Sequence, residues 1–175
     1  TFKSHEILNS KSIILPGVGA FSSAMKAIKK LKLDKKIIKF YKTQKPIFGI
    51  CLGMQLFFSE SFEGKKCTGL NILKGKVVAL KKNKLNIGWR DLYDTKIEMF
   101  KKTLDLKKMY FIHSYMVVPK DNKVILAKSN FNDLSFCAAI KKNNLYGFQF
   151  HPEKSGKNGI NLYKQLKKII NENSI

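Results

Sequence analysis

Apolar and polar residues alternate along this chain in two regimes. Up to about residue 60, short apolar runs are interleaved with segments whose apolar residues recur every three or four positions. Residues 12–15 form a strand through Ile13-Ile14-Leu15, and residues 20–31 a helix with Met25, Ile28 and Leu31 on one face. A second helix runs to Tyr41, with Asp34 as its cap and Ile37, Ile38 and Phe40 as its apolar side. Residues 46–50 (Pro-Ile-Phe-Gly-Ile) read as a buried strand, and residues 52–59 as the first turns of a helix whose apolar face holds Leu56 and Phe57.

From residue 70 onward the pattern changes. Strands dominate residues 70–80, a solvated turn covers 81–84, and a short surface helix is expected over 96–106. Residues 109–112, 115–118, 124–128, 136–140 and 145–150 read as successive strands, with turns at 119–122 and 141–144. A closing helix over 159–170 sets Leu162, Leu166 and Ile169 on one face. Helix–strand alternation followed by a run of strands predicts an α/β fold, with a central, mostly parallel sheet flanked by helices and an antiparallel extension.

The 175 residues, 44% hydrophobic, fit a single domain with an ordinary core. No run is long enough for a membrane span, and no signal peptide is visible at this start. Three cysteines without paired spacing suggest a reducing, cytoplasmic setting, with Cys67 and Cys137 as structural thiols. No Cys/His cluster has zinc spacing, so neither metal nor cofactor is expected. The net charge of +22 raises nucleic acid or an anionic membrane as partner. Against this, 33 of the 34 basic residues are Lys, scattered through every segment, and no basic stripe with interleaved aromatics occurs. Weak polyanion binding at low salt is expected, and an acidic patch on a protein partner is the more economical use of the charge.

Candidate chemistry begins at Gly49-Ile50-Cys51-Leu52-Gly53, at the junction of a strand and a helix. Glycines on either side allow a sharp turn, as in the nucleophile elbow, and a helix N-terminus lowers a thiol pKa. His151-Pro152-Glu153 follows 100 residues later, after another strand-like run. His151 can take and return the Cys51 proton, and Glu153 can orient the imidazole. Pro16-Gly17-Val18-Gly19 follows a strand in the same way, and such a turn can aim backbone N–H groups at an oxyanion. Each motif alone has an ordinary reading: a buried structural cysteine, a solvated turn, a strand–helix turn. The nucleophile, base and orienting group together favour catalysis.

These residues resemble the class I glutamine amidotransferases, whose fold is flavodoxin-like. Within that class they are similar to the glutaminase subunits of imidazole glycerol phosphate synthase. The matching segments are Pro16-Gly17-Val18-Gly19-Ala20-Phe21, Gly49-Ile50-Cys51-Leu52-Gly53-Met54-Gln55, Gly88-Trp89, Phe111-Ile112-His113-Ser114-Tyr115 and Gln149-Phe150-His151-Pro152-Glu153-Lys154-Ser155-Gly156. The resemblance implies a Cys51-His151-Glu153 triad that hydrolyses L-glutamine through a thioester. It implies an oxyanion hole from the 16–19 loop (Gly17, Val18, Gly19) and the Leu52 amide, the loop often being wrongly oriented until the partner's ligand binds. It places glutamine against Gly19, Gln55, Glu63 and the backbone of Ser114 and Tyr115. It sets Trp89, Arg90 and Lys154 at the interface with a cyclase subunit, which takes the ammonia in histidine biosynthesis as the other half of a heterodimer.

The chain departs from that pattern in two places. It begins at Thr1, and its first clear strand leads into Pro16, where relatives carry about one more strand and helix, roughly 30 residues. Residues 84–90 are one residue shorter than usual, lack the histidine common there, and carry Arg90, the chain's one arginine, for asparagine. A changed interface leaves open a related subunit serving a sugar amidotransferase in surface-polysaccharide synthesis. A non-enzymatic binding module and a peptidase or γ-glutamyl hydrolase on the same fold are further alternatives.

Overall fold

The computed structural model describes residues 3–80, 84–96 and 108–173. Its most apolar strands are its most central. β2 (Ile47–Ile50) and β11 (Leu145–Phe148) are buried at all four positions and lie side by side in parallel. β1 (Ile13–Leu15) flanks β2, also in parallel, while β10 (Leu134–Lys142) and β9 (Ile125–Phe131) continue the sheet antiparallel beyond β11. Burial on both faces explains the unbroken apolar runs. Ile47 and Leu145 enter one core, packed with Met25, Ile37 and Phe40. Phe48 and Phe148 enter the other, packed with Phe111, Phe150, Leu162 and Leu166.

Helices α2 (Phe21–Lys30) and α3 (Leu33–Lys42) supply the first core, and the C-terminal helix α5 (Gly156–Glu172) supplies the second. A mixed sheet of β4 (Cys67–Thr68), β3 (Phe58–Ser61), β5 (Leu73–Ala79) and β8 (Tyr115–Pro119) forms a second layer. An antiparallel ribbon pairs β6 (Asn86–Asp91) with β7 (Lys108–His113) from Asn86↔His113 to Asp91↔Lys108. No helix among the described residues is long and apolar enough to cross a membrane.

Several local expectations shift. The buried stripe of α2 is Phe21, Met25 and the half-buried Ile28, whereas Leu31 lies past the helix end at 48% exposure. Asp34 sits in the first turn of α3 without capping it. Lys32 holds the cap position in a left-handed conformation, φ 53°, which reverses the chain within two residues. The helix expected over 52–59 is a single turn, α4 (Leu52–Gln55), followed directly by β3. Leu56, Phe57 and Phe58 are all buried, and three consecutive buried residues cannot lie on one face of a surface helix. β6 and the short helix α1 (Ser4–Asn9), which buries Ile7, are elements the periodicity did not signal. His5 Nε2 lies 3.9 Å from Glu6 Oε1. Except for Lys84 and Lys96, the turn at 81–84 and the helix at 96–106 fall outside the described residues.

The register Ile50↔Phe148 ends β2 and β11 level with each other. Cys51 and residues 149–151 therefore leave the sheet at the same edge, where ligand sites collect in open α/β sheets.

Candidate active site

Cys51 is the turn between β2 and α4, with φ 53° and ψ −110°, a rare backbone conformation for a residue with a side chain. It is held there by its N–H donating to Phe148 O at 2.7 Å and its carbonyl accepting from Met54 N at 3.1 Å. The strained φ falls on the cysteine itself, and the bracketing glycines are needed for space. A Cβ at Gly53 would lie 1.8 Å from Leu15 O, and one at Gly49 would lie 2.5 Å from Phe57 Cε2 and 2.7 Å from Met54 N.

Burial pushes the Cys51 thiol up to about 11, against the expected lowering. The Leu52 N–H and, more weakly, the Gln149 amide oppose this, while the Glu153 charge adds to it. A one-turn helix has too small a dipole to offset desolvation of a side chain so deep in the site. Cys51 is thus a neutral thiol at rest, and its Sγ–H points to Ile112 O at 3.7 Å. Alkylation by iodoacetamide in the absence of substrate is expected to accelerate about tenfold per pH unit from pH 7 to 10. A rate already flat below pH 8 would reveal a thiolate instead.

His151 follows β11 by three residues. Its N–H donates to Tyr110 O at 2.8 Å, and its carbonyl accepts from Ser155 Oγ at 2.7 Å. Ser155 Oγ also accepts from Tyr110 N at 3.0 Å, so one hydroxyl ties the His151 backbone to β7. The ring's Nδ1 pairs with Glu153 Oε1 at 2.6 Å, leaving Nε2 as the nitrogen free to receive a proton. Cys51, His151 and Glu153 line one cavity of about 650 Å³.

The residues predicted to hold glutamine converge on that cavity. Gly19, Gln55, Glu63, Ser114 and Tyr115 all line it. Gln55 Nε2 donates to Tyr115 O at 3.1 Å and to Gln149 Oε1 at 3.0 Å, so its carbonyl oxygen is left to accept from a ligand. Glu63 Oε2 accepts from Phe21 N–H at 2.8 Å, which anchors the carboxylate at the start of α2. Val18, Gly19 and Leu52 line the cavity, with Gly19 at φ +99°. Gly17 instead packs against Leu52, where a Cβ would meet Leu52 Cβ at 2.9 Å, and it lines the adjoining cavity with Val18, His151 and Glu153.

Gln149 was missed by sequence reasoning. It is fully buried, and its Nε2 reaches Cys51 Sγ at 3.6 Å. The signal was present: a lone polar residue inside Tyr146-Gly147-Phe148-Gln149-Phe150. His113 is no second base. Its Nδ1–H donates to Tyr115 O at 2.8 Å, and burial holds its pKa down at about 4, helped by the nearby His151 and opposed by that hydrogen bond. Between pH 6.5 and 4 the unfolded chain therefore binds the His113 proton and the native chain does not. Stability is full above 6.5 and falls by up to about 3 kcal/mol toward pH 4. Urea titrations of wild type and His113→Asn across that range check this, because the variant should lack most of the dependence.

Of the predicted interface residues, Trp89 is 48% exposed and continues an apolar strip with Leu85 and Ile87. Lys154 is exposed at the cavity rim. Arg90 is turned back onto its own strand, with Nη1 on Trp89 O and Nη2 on Ile87 O. No group of three or more His, Cys, Asp or Glu among the described residues could hold a metal ion.

The family described as glutamine amidotransferase class-I matches residues 2–167. The imidazole glycerol phosphate synthase subunit HisH of Oceanobacillus iheyensis is 42% identical over 173 residues, covering 97% of this chain and 86% of its own. The same subunit of Aquifex aeolicus is 42% identical over 159 residues, covering 89% and 76%. A crystal structure of a glutamine amidotransferase superposes with a TM-score of 0.69 at 16% identity, over 98% of this chain and 85% of its own, a likeness of fold alone.

Proposed function

We propose that this chain, which belongs to the class-I glutamine amidotransferase family, is the glutaminase subunit of an imidazole glycerol phosphate synthase of histidine biosynthesis. The observation that carries the chemistry is the convergence of Cys51, the His151–Glu153 pair and Gln55 on one cavity, with the buried Gln149 amide behind Gln55 and Cys51.

L-Glutamine enters with its polar head against Gln55 Oε1 and Glu63. His151 Nε2 takes the Cys51 proton as Sγ attacks the side-chain amide carbon, so the raised thiol pKa is met by a base at the moment of attack. The Leu52 N–H and the N–H groups of Val18 and Gly19 receive the developing oxyanion. His151 returns the proton to the amide nitrogen, the C–N bond breaks, and ammonia leaves a glutamyl thioester on Cys51. Water, deprotonated by His151, then attacks the thioester carbon, the C–S bond breaks, and His151 returns the proton to Cys51 Sγ as glutamate leaves. The acceptor of ammonia lies on a second protein, a cyclase subunit that docks where Trp89, Ile87 and Lys154 are exposed. Three free thiols suit a cytoplasmic setting.

Glutaminase activity measured alone and with the cyclase of the same organism plus its nucleotide substrate tests this reading. Strong stimulation is expected. The shortened 84–90 segment, its missing histidine and Arg90 favour one alternative, a subunit feeding a sugar amidotransferase. A Cys51 labelled by a glutamine analogue but no stimulation by the cyclase would point to such a subunit serving another acceptor. No labelling in any complex would indicate a binding module. Glu153→Gln should lower kcat about 10- to 100-fold with little change in KM, since the half-exposed carboxylate orients His151 and stabilises its charged form without holding substrate. An unchanged kcat would remove Glu153 from the triad.

A further inference from the structure

The one arginine of the chain lies outside the cavity yet is joined to it by hydrogen bonds. Arg90 Nε donates to Asn86 Oδ1 at 3.2 Å. Asn86 Nδ2 and His113 Nε2 are 3.0 Å apart, and His113 Nδ1 is 2.8 Å from Tyr115 O. A carbonyl can only accept, so the His113 proton sits on Nδ1. Nε2 is then an acceptor, Asn86 must donate to it, and Asn86 Oδ1 is turned to Arg90. A single arrangement of protons satisfies every group. Tyr115 O also accepts from Gln55 Nε2, whose other hydrogen goes to Gln149 Oε1, and Gln149 reaches Cys51 Sγ. Asn86, Gln149 and His113 are all at least 95% buried, so water cannot substitute for a lost partner at little cost.

The outer end of this chain is equally specific. The Arg90 guanidinium holds the carbonyls of Ile87 and Trp89, the residues whose side chains form the exposed apolar strip. It also lies over the Phe131 ring, 5.6 Å from its centroid. Displacement of that strip's backbone moves the guanidinium, and through Asn86 and His113 it moves the carbonyl that orients Gln55.

We propose that Asn86 and His113 are positioning residues that connect Arg90, beneath the exposed Trp89 strip, to Tyr115 O and Gln55, so that affinity for glutamine is set partly from that strip. The inference rests on the glutaminase reading above.

The test uses the full chain and a chloroketone analogue of glutamine. Mass spectrometry of Cys51 modification gives the half-saturating concentration and the maximal rate. Arg90→Met and Asn86→Leu should each raise the half-saturating concentration about fivefold, the equivalent of one net hydrogen bond, with the maximal rate within about twofold. His113→Asn keeps an amide donor where Nδ1 was but breaks the link to Asn86. In that background Arg90→Met should add nothing. A half-saturating concentration unmoved by Arg90→Met, or moved equally in both backgrounds, would overturn the proposal. If Asn86→Leu fails to fold, the Arg90→Met pair still decides. Wild-type protein that resists labelling both alone and in complex with the cyclase and its nucleotide substrate would sink the glutaminase reading and this one with it. Labelled wild type with unmoved variants would sink this one alone.

Discussion

Cys51→Ala is expected to reduce glutamine hydrolysis by at least about 10⁴-fold, because removal of a nucleophile leaves only the contributions of binding and the oxyanion donors. The fold should survive. Alanine keeps the Cβ that the turn already accommodates, and the N–H to Phe148 O and carbonyl to Met54 N bonds belong to the backbone. The cost is the strained φ of 53°, which cysteine already bears. Glutamine should still bind, since Gln55, Glu63 and the Tyr115 backbone are untouched. Activity assays and glutamine titration of the variant separate the two effects. Retained turnover would refute the thioester mechanism, and lost binding would mean that the thiol itself shapes the pocket.

Gly53→Ala should be the most damaging single-methyl change in the site. Its Cβ would stand 1.8 Å from Leu15 O and 2.7 Å from Leu15 C, both backbone atoms of β1 that cannot rotate away. Either β1 separates from β2 or the elbow lifts, and both move Cys51. A loss of about 3 kcal/mol or more is expected, a fall of roughly 10 °C in Tm for a chain of this size, together with loss of activity. Gly64→Ala is the control: it has φ +66° but open space around it, and should cost about 1 kcal/mol with activity intact. Equal melting temperatures for the two variants would show that the elbow is looser than its contacts indicate.

The proposed catalytic trio was legible in the sequence because its groups are local. Cys51 lies between two glycines at the end of an apolar run, and His151 and Glu153 are two residues apart at the end of another. Runs that are apolar at every position can be buried only on both faces of a sheet, so β2, β11 and the α/β class followed from pattern alone. Elements stabilised by tertiary partners did not. β6 holds its place by pairing with β7, and its exposed Ile87 and Trp89 gave no periodic signal of a buried face. The helix after Cys51 stops after one turn because Phe58 is required in the core.

The same division runs through the site. Residue type and spacing pointed to the proposed nucleophile, base and orienting carboxylate, because those roles depend on functional groups a few residues from a strand end. Why the two glycines are glycines was decided by Leu15 and Phe57, which approach from elsewhere in the chain. The protonation of Cys51 was decided by burial, which outweighs the short helix dipole that the sequence alone displays. Gln149, His113, Asn86 and Arg90 come together only through the pairing of β6 with β7 and of β11 with β2, at separations no local pattern encodes. Hydrogen-bond partners distant in the chain are selected by strand register, and register is a property of the folded sheet.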